Sequence, residues 1–434
     1  MLVLCIDDDN NNRRRSFILS IAVRVSALAP FQVRSFRFQW PADIATSWAF
    51  EMETLILGWY VLVETGSVLL LTVFASLRYL GTLLAPLFGV AGDRAGQRTV
   101  LCVMRAFYAT QAITLMTLAL TGTLSPAYVF AIAAMMGLVQ PSDIGMRAAL
   151  IGDTMPPAHL MSAMGIQRTT QDSAKIAGSL TGAGLVAALG IGSAYAVVAC
   201  LYASSVLLTL KARATPSASP KSRKRHHLSP LRELKEGLAY VRRTPQLLAL
   251  MLLAFLLNLT AFPLFTGLLP YVAKEIYETD RTGLGYMVAS TAFGALVGSI
   301  VLSRNTVFHP ARMMVVACVM WYTALFAFAH IHDRYAGMAA LVFAGFAQSM
   351  GQVPMSAILL RACDEEFRGR VMGIRMLAIY GNLPGLLVAG PLISVIGYPW
   401  TATIYCVSGI ALTIVIARRW RSELWMHDAA ANRR

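Results

Sequence analysis

The chain has 434 residues, of which 57% are hydrophobic and 14% charged, and its formal net charge is +15. A water-soluble core of this size buries less apolar surface than that, so a bilayer must act as part of the solvent, and the short alternating segments of a membrane barrel are absent. The basic excess lies between apolar spans and not on an aromatic-studded polar domain, which argues against a nucleic-acid-binding protein.

Residues 1–35 fit no span. Arg14-Arg15-Ser16-Phe17-Ile18 and the later Ala27-Leu28-Ala29 imitate a twin-arginine signal, but Arg24 interrupts the apolar stretch, so 1–35 read as a disordered cytoplasmic extension. A hydrocarbon core of about 30 Å needs roughly 20 apolar residues per helix. Stretches of that length predict helices at 40–63, 68–90, 99–121, 127–148, 163–189 and 193–210, a first bundle over residues 36–210. Residues 211–244 are polar and basic, contain Pro216 and Pro220, and read as a cytoplasmic linker. Six more helices follow at 245–273, 283–303, 313–329, 336–360, 371–396 and 400–417, a second bundle over 245–420, with 421–434 a cytoplasmic tail. The expected fold class is an all-α integral membrane protein of twelve transmembrane helices in two six-helix bundles.

Basic loops stay on the cytoplasmic side. One set of alternate loops holds Arg94, Arg98, ten basic residues from Lys211 to Arg243, Arg304, Arg312, Arg361, Arg368 and Arg370, whereas the other holds Lys274, Arg281 and Arg334. Both termini are therefore expected in the cytoplasm, with the chain in the cell inner (plasma) membrane. A repeat supports two related halves. Met164-Gly165-Ile166 recurs as Met372-Gly373-Ile374, and the same offset pairs Gly137 with Gly345, Gln140 with Gln348, Ala149 with Ala357 and Gly182 with Gly390.

Ionisable residues inside spans are expensive and face a cavity or a partner. Glu51 and Glu53 lie mid-helix in the first span, Arg78 deep in the second, and Asp172 and Lys175 in the fifth. Two residues apart, Glu51 and Glu53 point about 200° from one another, so one is expected at a helix contact with Arg78 as its partner. Arg168, Gln171, Lys175, Gly178 and Gly182 share one face by their 3-4 spacing. Asp43, Arg105, Asp143, Arg147, Arg168 and Arg375 lie nearer the cytoplasmic ends, where snorkelling is cheap. Two readings of Glu51, Glu53, Arg78, Asp172 and Lys175 stay open: coupling or substrate groups, or an ion-pair network that pins the first bundle.

The six cysteines are isolated and the seven histidines fall in or near loops, so neither a disulfide nor a metal or haem site is expected, and no cofactor. No glycine-rich lysine loop for ATP is present, which points to an ion gradient, of protons or another ion, as the energy source.

The segment Gly89-Val-Ala-Gly-Asp93-Arg94-Ala-Gly96-Gln-Arg98, between the second and third spans, resembles the signature loop of the major facilitator superfamily. One branch, the enterobactin exporters and macrolide-efflux proteins, is similar in further pieces. These are Phe36-Arg37, Trp59 and Thr65-Gly66-Ser67, then Pro263, Leu269-Pro270, Gly283-Leu284-Gly285, Gly294 and Gly298, and Arg368-Gly369-Arg370-Val371-Met372-Gly373. The resemblance covers residues 36–420. It implies a major-facilitator-like fold whose bundles rock about a central cavity, with no enzymatic step: a secondary transporter exporting an amphipathic small molecule such as a siderophore or macrolide. Uptake, lysolipid flipping, or a non-transporting sensor or accessory role are the alternatives, and a monomer suffices for any of them. Gly89, Asp93, Arg94, Gly96 and Arg98 would form its gate; independently, Gly89 and Gly96 permit close approach and a tight turn. The second half departs from the pattern: the loop from Ser303 to Arg312 lacks the aspartate, so an asymmetric gate is expected. The fifth span lacks the Gly-Pro of the antiporter signature, the nearest being Gly390-Pro391.

Overall fold

The computed structural model describes residues 29–212, 230–304, 309–364 and 367–424, and among them it contains helices and no strand. Residues 1–28 of the predicted extension, 213–229 of the linker, 305–308 of the second-half loop and 425–434 of the tail lie outside the described residues.

Helix α1, Arg34–Thr65, ends where Gly66 takes a φ of 61° and returns its N–H to the Leu62 carbonyl. Helix α2 runs from Val68–Leu77 through a tighter turn at Leu80–Leu84 into Ala85–Ala95. Helices α3, Gln97–Leu120, and α4, Pro126–Thr154, follow. Pro157–Lys211 is helical except at Gly190, whose φ of 80° and ψ of 172° divide it into α5 (157–189) and α6 (191–211).

In the second half, α7 begins as Pro245–Leu256 and continues through widened turns at Leu257–Ala261, Pro263–Gly267 and Val272–Ile276. Pro263 and Pro270 lack the N–H that a regular ladder needs, which explains much of this irregularity. Then come α8, Arg281–Arg304; α9, Pro310–His330; and α10, Arg334–Arg361. Helix α11 joins Arg368–Ala378 to Asn382–Ile396 through a tight turn at Ile379–Gly381, and α12 is Tyr398–Arg419.

Among the described residues, nine helices are long and apolar enough to cross a membrane, one being the double-length Ser162–Lys211. Helix α1 is lowered in hydropathy by its polar and acidic residues, and α2 is broken after Leu77; both still pack within the assembly. The arrangement is consistent with twelve spans. Side chains such as Val103, Leu207 and Val395 point outward, as lipid contact requires.

The repeat is visible in three dimensions. Gly81 and Gly137 let α2 and α4 cross backbone to backbone, since an added Cβ on either would run into the other helix's carbonyls at Leu138 or Leu77. Gly294 and Gly345 do the same for α8 and α10, against Val342 and Thr291. Gly397, with φ 82° and ψ 165°, repeats the turn made by Gly190. The Gly182 and Gly390 match is different: Gly182 receives Met52 of α1 within its own half, whereas Gly390 receives Leu69 and Thr72 of the other half. The contact equivalent to Gly178 and Gly182 on α1 is made by Gly381 and Gly385 on α7.

Two regions carry more order than composition suggests. Residues 29–35, placed with the extension, form a turn at Ala29–Gln32 and the start of α1, and Phe31 packs edge-on against Phe36 and Trp40 at 5.2 and 5.0 Å. Within the polar linker, Pro230–Arg243 is a helix with apolar residues at Leu231, Leu234, Leu238 and Val241. Val241 is buried, and Tyr240 stacks on Phe367 at 4.3 Å while its hydroxyl donates to the Asp364 carboxylate at 3.0 Å. Burial pushes the Tyr240 hydroxyl above its ordinary pKa, which keeps it protonated as the donor.

Candidate functional site

The two halves meet along α5 with α8 and α2 with α11. Their close contacts lie at the face away from the termini. A Cβ on Gly285 of α8 would stand 3.1 Å from the Ser179 carbonyl of α5, and one on Gly58 of α1 would stand 3.4 Å from Pro270 of α7. Arg281 at the start of α8 donates to the Val186 carbonyl of α5 at 3.2 Å, crossing the boundary. Toward the face that holds the termini the halves part: Gly165 of α5 and Gly373 of α11 have open space where a side chain would be, and Met164 and the Arg168 side chain are 38% and 67% exposed. Among the described residues, the halves therefore touch near one face and stand apart near the other, leaving a space between them.

Of the residues singled out from sequence, Glu51 and Glu53 do point apart. Glu53 is 6% exposed inside the first half and accepts a hydrogen bond from the Tyr202 hydroxyl of α6 at 2.9 Å, leaving its other oxygen without a partner. Phe50, Tyr108 and Tyr202 form a ring cluster beside it. Glu51 is half-buried and turns toward α5, its Cβ facing Gly178. The expected ion pair with Arg78 is not formed: among the described residues no basic nitrogen lies within 4.0 Å of either carboxylate. Tyr202 lies on the buried face of α6 and reaches Glu53, while Arg78 sits at the α2 break. Asp172 is buried and pairs with Arg168 one turn earlier at 3.3 Å, and Lys175 is exposed.

A larger correction concerns the charges assigned to snorkelling. Asp43 of α1, Arg105 of α3 and Asp143 and Arg147 of α4 are all buried, with side-chain exposures of 4% or less. Arg105 binds Asp43 and the Thr209 hydroxyl of α6, and Arg147 binds Asp143. Arg147 also donates to Ser47 Oγ at 2.7 Å and to the Asp43 carbonyl at 3.2 Å, and its own carbonyl accepts from Gln39 at 3.1 Å. Two carboxylates and two guanidiniums thus form a neutral cluster tying four helices. Its signal in the sequence was the Asp143 and Arg147 spacing of one helical turn; the partners on α1 and α3 carried none.

The sequence of these two repeated halves matches the profile described as Major Facilitator Superfamily, which aligns with residues 40–380 and 251–430. The chain belongs to the major facilitator superfamily. Solved structures of superfamily transporters agree in fold at low identity. The nucleoside transporter NupG is 15% identical with a TM-score of 0.62, covering 89% of this chain and 98% of that one. The human organic anion transporter MFSD10 (TETRAN) is 18% identical with a TM-score of 0.62, covering 88% and 98%. An auto-inhibited POT family peptide transporter is 12% identical with a TM-score of 0.68, covering 89% and 97%. No functionally curated protein matches in sequence.

In this superfamily member the motif of residues 89–98 occupies the last turns of α2 and the bend into α3. Asp93 and Arg94 lie in the final turn of α2, and Gly96 makes the bend with φ 86° and ψ 135°, a conformation that strains any side chain. Gly92 abuts Gln97 and Met146. Arg94 is exposed, whereas Arg98 donates to the Thr209 carbonyl at 3.2 Å and to that of Leu210, satisfying open carbonyls at the end of α6.

Proposed function

We propose that this transporter is a secondary active exporter of amphipathic small molecules, such as a siderophore or macrolide, driven by an ion gradient across the inner (plasma) membrane. The observation that carries the reading is the close contact of the halves near one face and their separation near the other, which supports one end of an alternating-access cycle. The Lys and Arg distribution supports placing the open face, with both termini, in the cytoplasm, where a molecule to be exported enters. The pieces resembling enterobactin exporters and macrolide-efflux proteins support the outward direction.

Glu53 is the candidate ion carrier, because it is a buried carboxyl held by a neutral hydroxyl and can change protonation without abandoning a cation. Glu51, Arg78, Asp172 and Lys175 border the substrate path, and residues Gly89, Asp93, Arg94, Gly96 and Arg98 gate it at the bend from α2 into α3, where Arg98 holds the end of α6. The scheme needs a substrate, a proton or other ion, and a bilayer, and no enzymatic step. The test is export of a siderophore and macrolide panel from a host lacking its own pumps, with and without a pH gradient. Export should need the gradient, and Asp93→Asn and Arg94→Ala should slow it while leaving membrane insertion intact. A chain that inserts normally yet exports none of the panel, or exports equally after the gradient is collapsed, overturns the reading.

A further inference from the structure

The cavity walls carry charges that a proton carrier at Glu53 does not use. Helix α5 presents two separate exposed stripes. Its contact face toward α1 is marked by Ala174 and Gly178, with Thr170 and Thr181 accepting from the Trp40 and Trp48 indoles at 2.9 and 2.8 Å. At about 100° per residue, Ser173, Leu180 and Gly184 fall on the far, lipid side. Met164, Arg168 and Lys175 fall on a second stripe, between the α1 contact and the α8 contact at Ser179 and Ala183. All six are exposed, and the second stripe's place between the α1 and α8 contacts turns it toward the space between the halves.

From the opposite half, half-buried Arg375 of α11 lies within electrostatic reach of Arg168. Among the described residues no carboxylate lies within 4.0 Å of Arg375 or Lys175, and the Arg168 carboxylate partner is Asp172 on its own helix. Deeper, Arg78 stands at the α2 break, next to Tyr79, which lies near Thr266 of α7 across the boundary. Among the described residues, the charges assigned to the border of this space are Arg78, Arg168, Lys175 and Arg375 against Glu51 and Asp172, a surplus of cations. Like charges brought together across a gap from two halves repel unless an anion lies between them.

We propose that the cavity selects substrates bearing an anionic group, a carboxylate, phosphate or acidic phenolate, held between Arg168 and Lys175 on the first half and Arg375 on the second. The proposal rests on the reading that the cavity carries a small molecule, and it separates the candidates: anionic siderophores fit, cationic macrolides do not. An anion touching both halves would also favour their closure at the open face, since it contacts Arg375 and Arg168 together only when they approach.

The test is equilibrium binding to the purified full chain in phosphatidylcholine nanodiscs, with two dyes of one ring system and opposite charge: carboxyfluorescein and rhodamine 123. Carboxyfluorescein should bind at least about tenfold more tightly, and Arg168→Gln, Lys175→Gln or Arg375→Gln should each weaken it about tenfold, the effect of losing one charge-assisted contact. Arg375→Lys should retain binding, and Arg375→Glu should shift preference toward rhodamine 123. Exposed Lys175, with no carboxylate within 4.0 Å among the described residues, provides the variant that leaves the fold intact, checked by an unchanged melting temperature. Displacement of the dye by added phosphatidylglycerol would identify a lipid headgroup as the anion, and undiminished binding a soluble one. Failure of carboxyfluorescein to bind in preference, binding of neither dye included, or a preference indifferent to all the substitutions, overturns the proposal. Anion binding without any export in vesicles would remove the export reading and leave the site; gradient-driven export of rhodamine 123 alone would do the reverse.

Discussion

The two halves share their skeleton and differ in their chemistry. Both cross their second and fourth helices at paired glycines, Gly81 with Gly137 and Gly294 with Gly345, and both turn from the fifth to the sixth helix at a single glycine with φ near 80°. Inside the first half lie Asp43, Arg105, Asp143, Arg147 and Glu53, whereas among the described residues buried in the second half none is charged. There the polar contacts are neutral: Asn382 to Asn258 at 2.6 Å, Thr260 with Tyr322 at 2.6 Å, and Ser299 with Ser349 at 2.8 Å. Small residues and turns are sufficient to make a six-helix bundle of this shape. Buried charge is therefore not a requirement of the fold, and among the described residues it is confined to one half.

The largest expected effect is on coupling. If the first half alone carries the ion, Glu53→Gln should fold, bind substrate and lose pH-gradient-driven export altogether, because the amide resembles a permanently protonated acid. Glu51→Gln should act more weakly, since that side chain borders the substrate path instead. Wild-type rates and unchanged pH dependence in both variants would move the coupling search to Asp172 and Lys175, and flux assays in proteoliposomes decide it.

Next is stability. Removing one member of a buried ion pair typically destabilises by about 3–5 kcal/mol, so Arg147→Ala or Asp43→Ala should sharply lower the yield and melting temperature of detergent-solubilised protein. Replacing Asp43 and Arg105 together with apolar residues of similar volume should recover part of the loss, because neither charge is then left unpaired. A melting temperature unmoved by Arg147→Ala would show that the cluster is not a structural pin.

A smaller effect should be equal in the two halves. Gly137→Ala and Gly345→Ala both place a Cβ against a facing carbonyl, and overpacking of this kind destabilises by about 1–3 kcal/mol. Unequal losses measured by thermal unfolding would mean that the helix crossings, and not only the charges, distinguish the halves.

The smallest effect concerns the linker helix docked on the second half. Tyr240→Phe keeps the stack on Phe367 but removes the hydrogen bond to Asp364, a loss of about 0.5–1.5 kcal/mol. Tyr240→Ala should lose both contacts and expose the linker to protease at lower enzyme concentrations. Equal proteolysis of wild type and Tyr240→Ala would show that the docking is marginal.

Much of the fold was legible in the sequence. Apolar run length located the helices, and the spacing of Glu51 and Glu53 correctly set them on different sides of α1. These are local properties: a span of roughly 20 apolar residues and an angular position about a helix axis can be read without knowing any neighbour. The linker helix was hidden because its apolar period is short and sits in a basic stretch, so composition outweighed periodicity.

The site was decided by the tertiary structure. Glu53 meets Tyr202 across 149 residues of chain, Arg105 meets Asp43 across 62, and Arg168 comes within electrostatic reach of Arg375 in the other half. Sequence places each side chain at an angle on its own helix, but which helix occupies that angle depends on how the bundle packs. Long-range packing is set by the sum of many weak apolar contacts, which leave no mark at the charged position itself. For that reason Arg78 looked like the partner of a glutamate and Asp43 like a surface charge, and only the folded chain assigns the tyrosine to one and the buried arginines to the other.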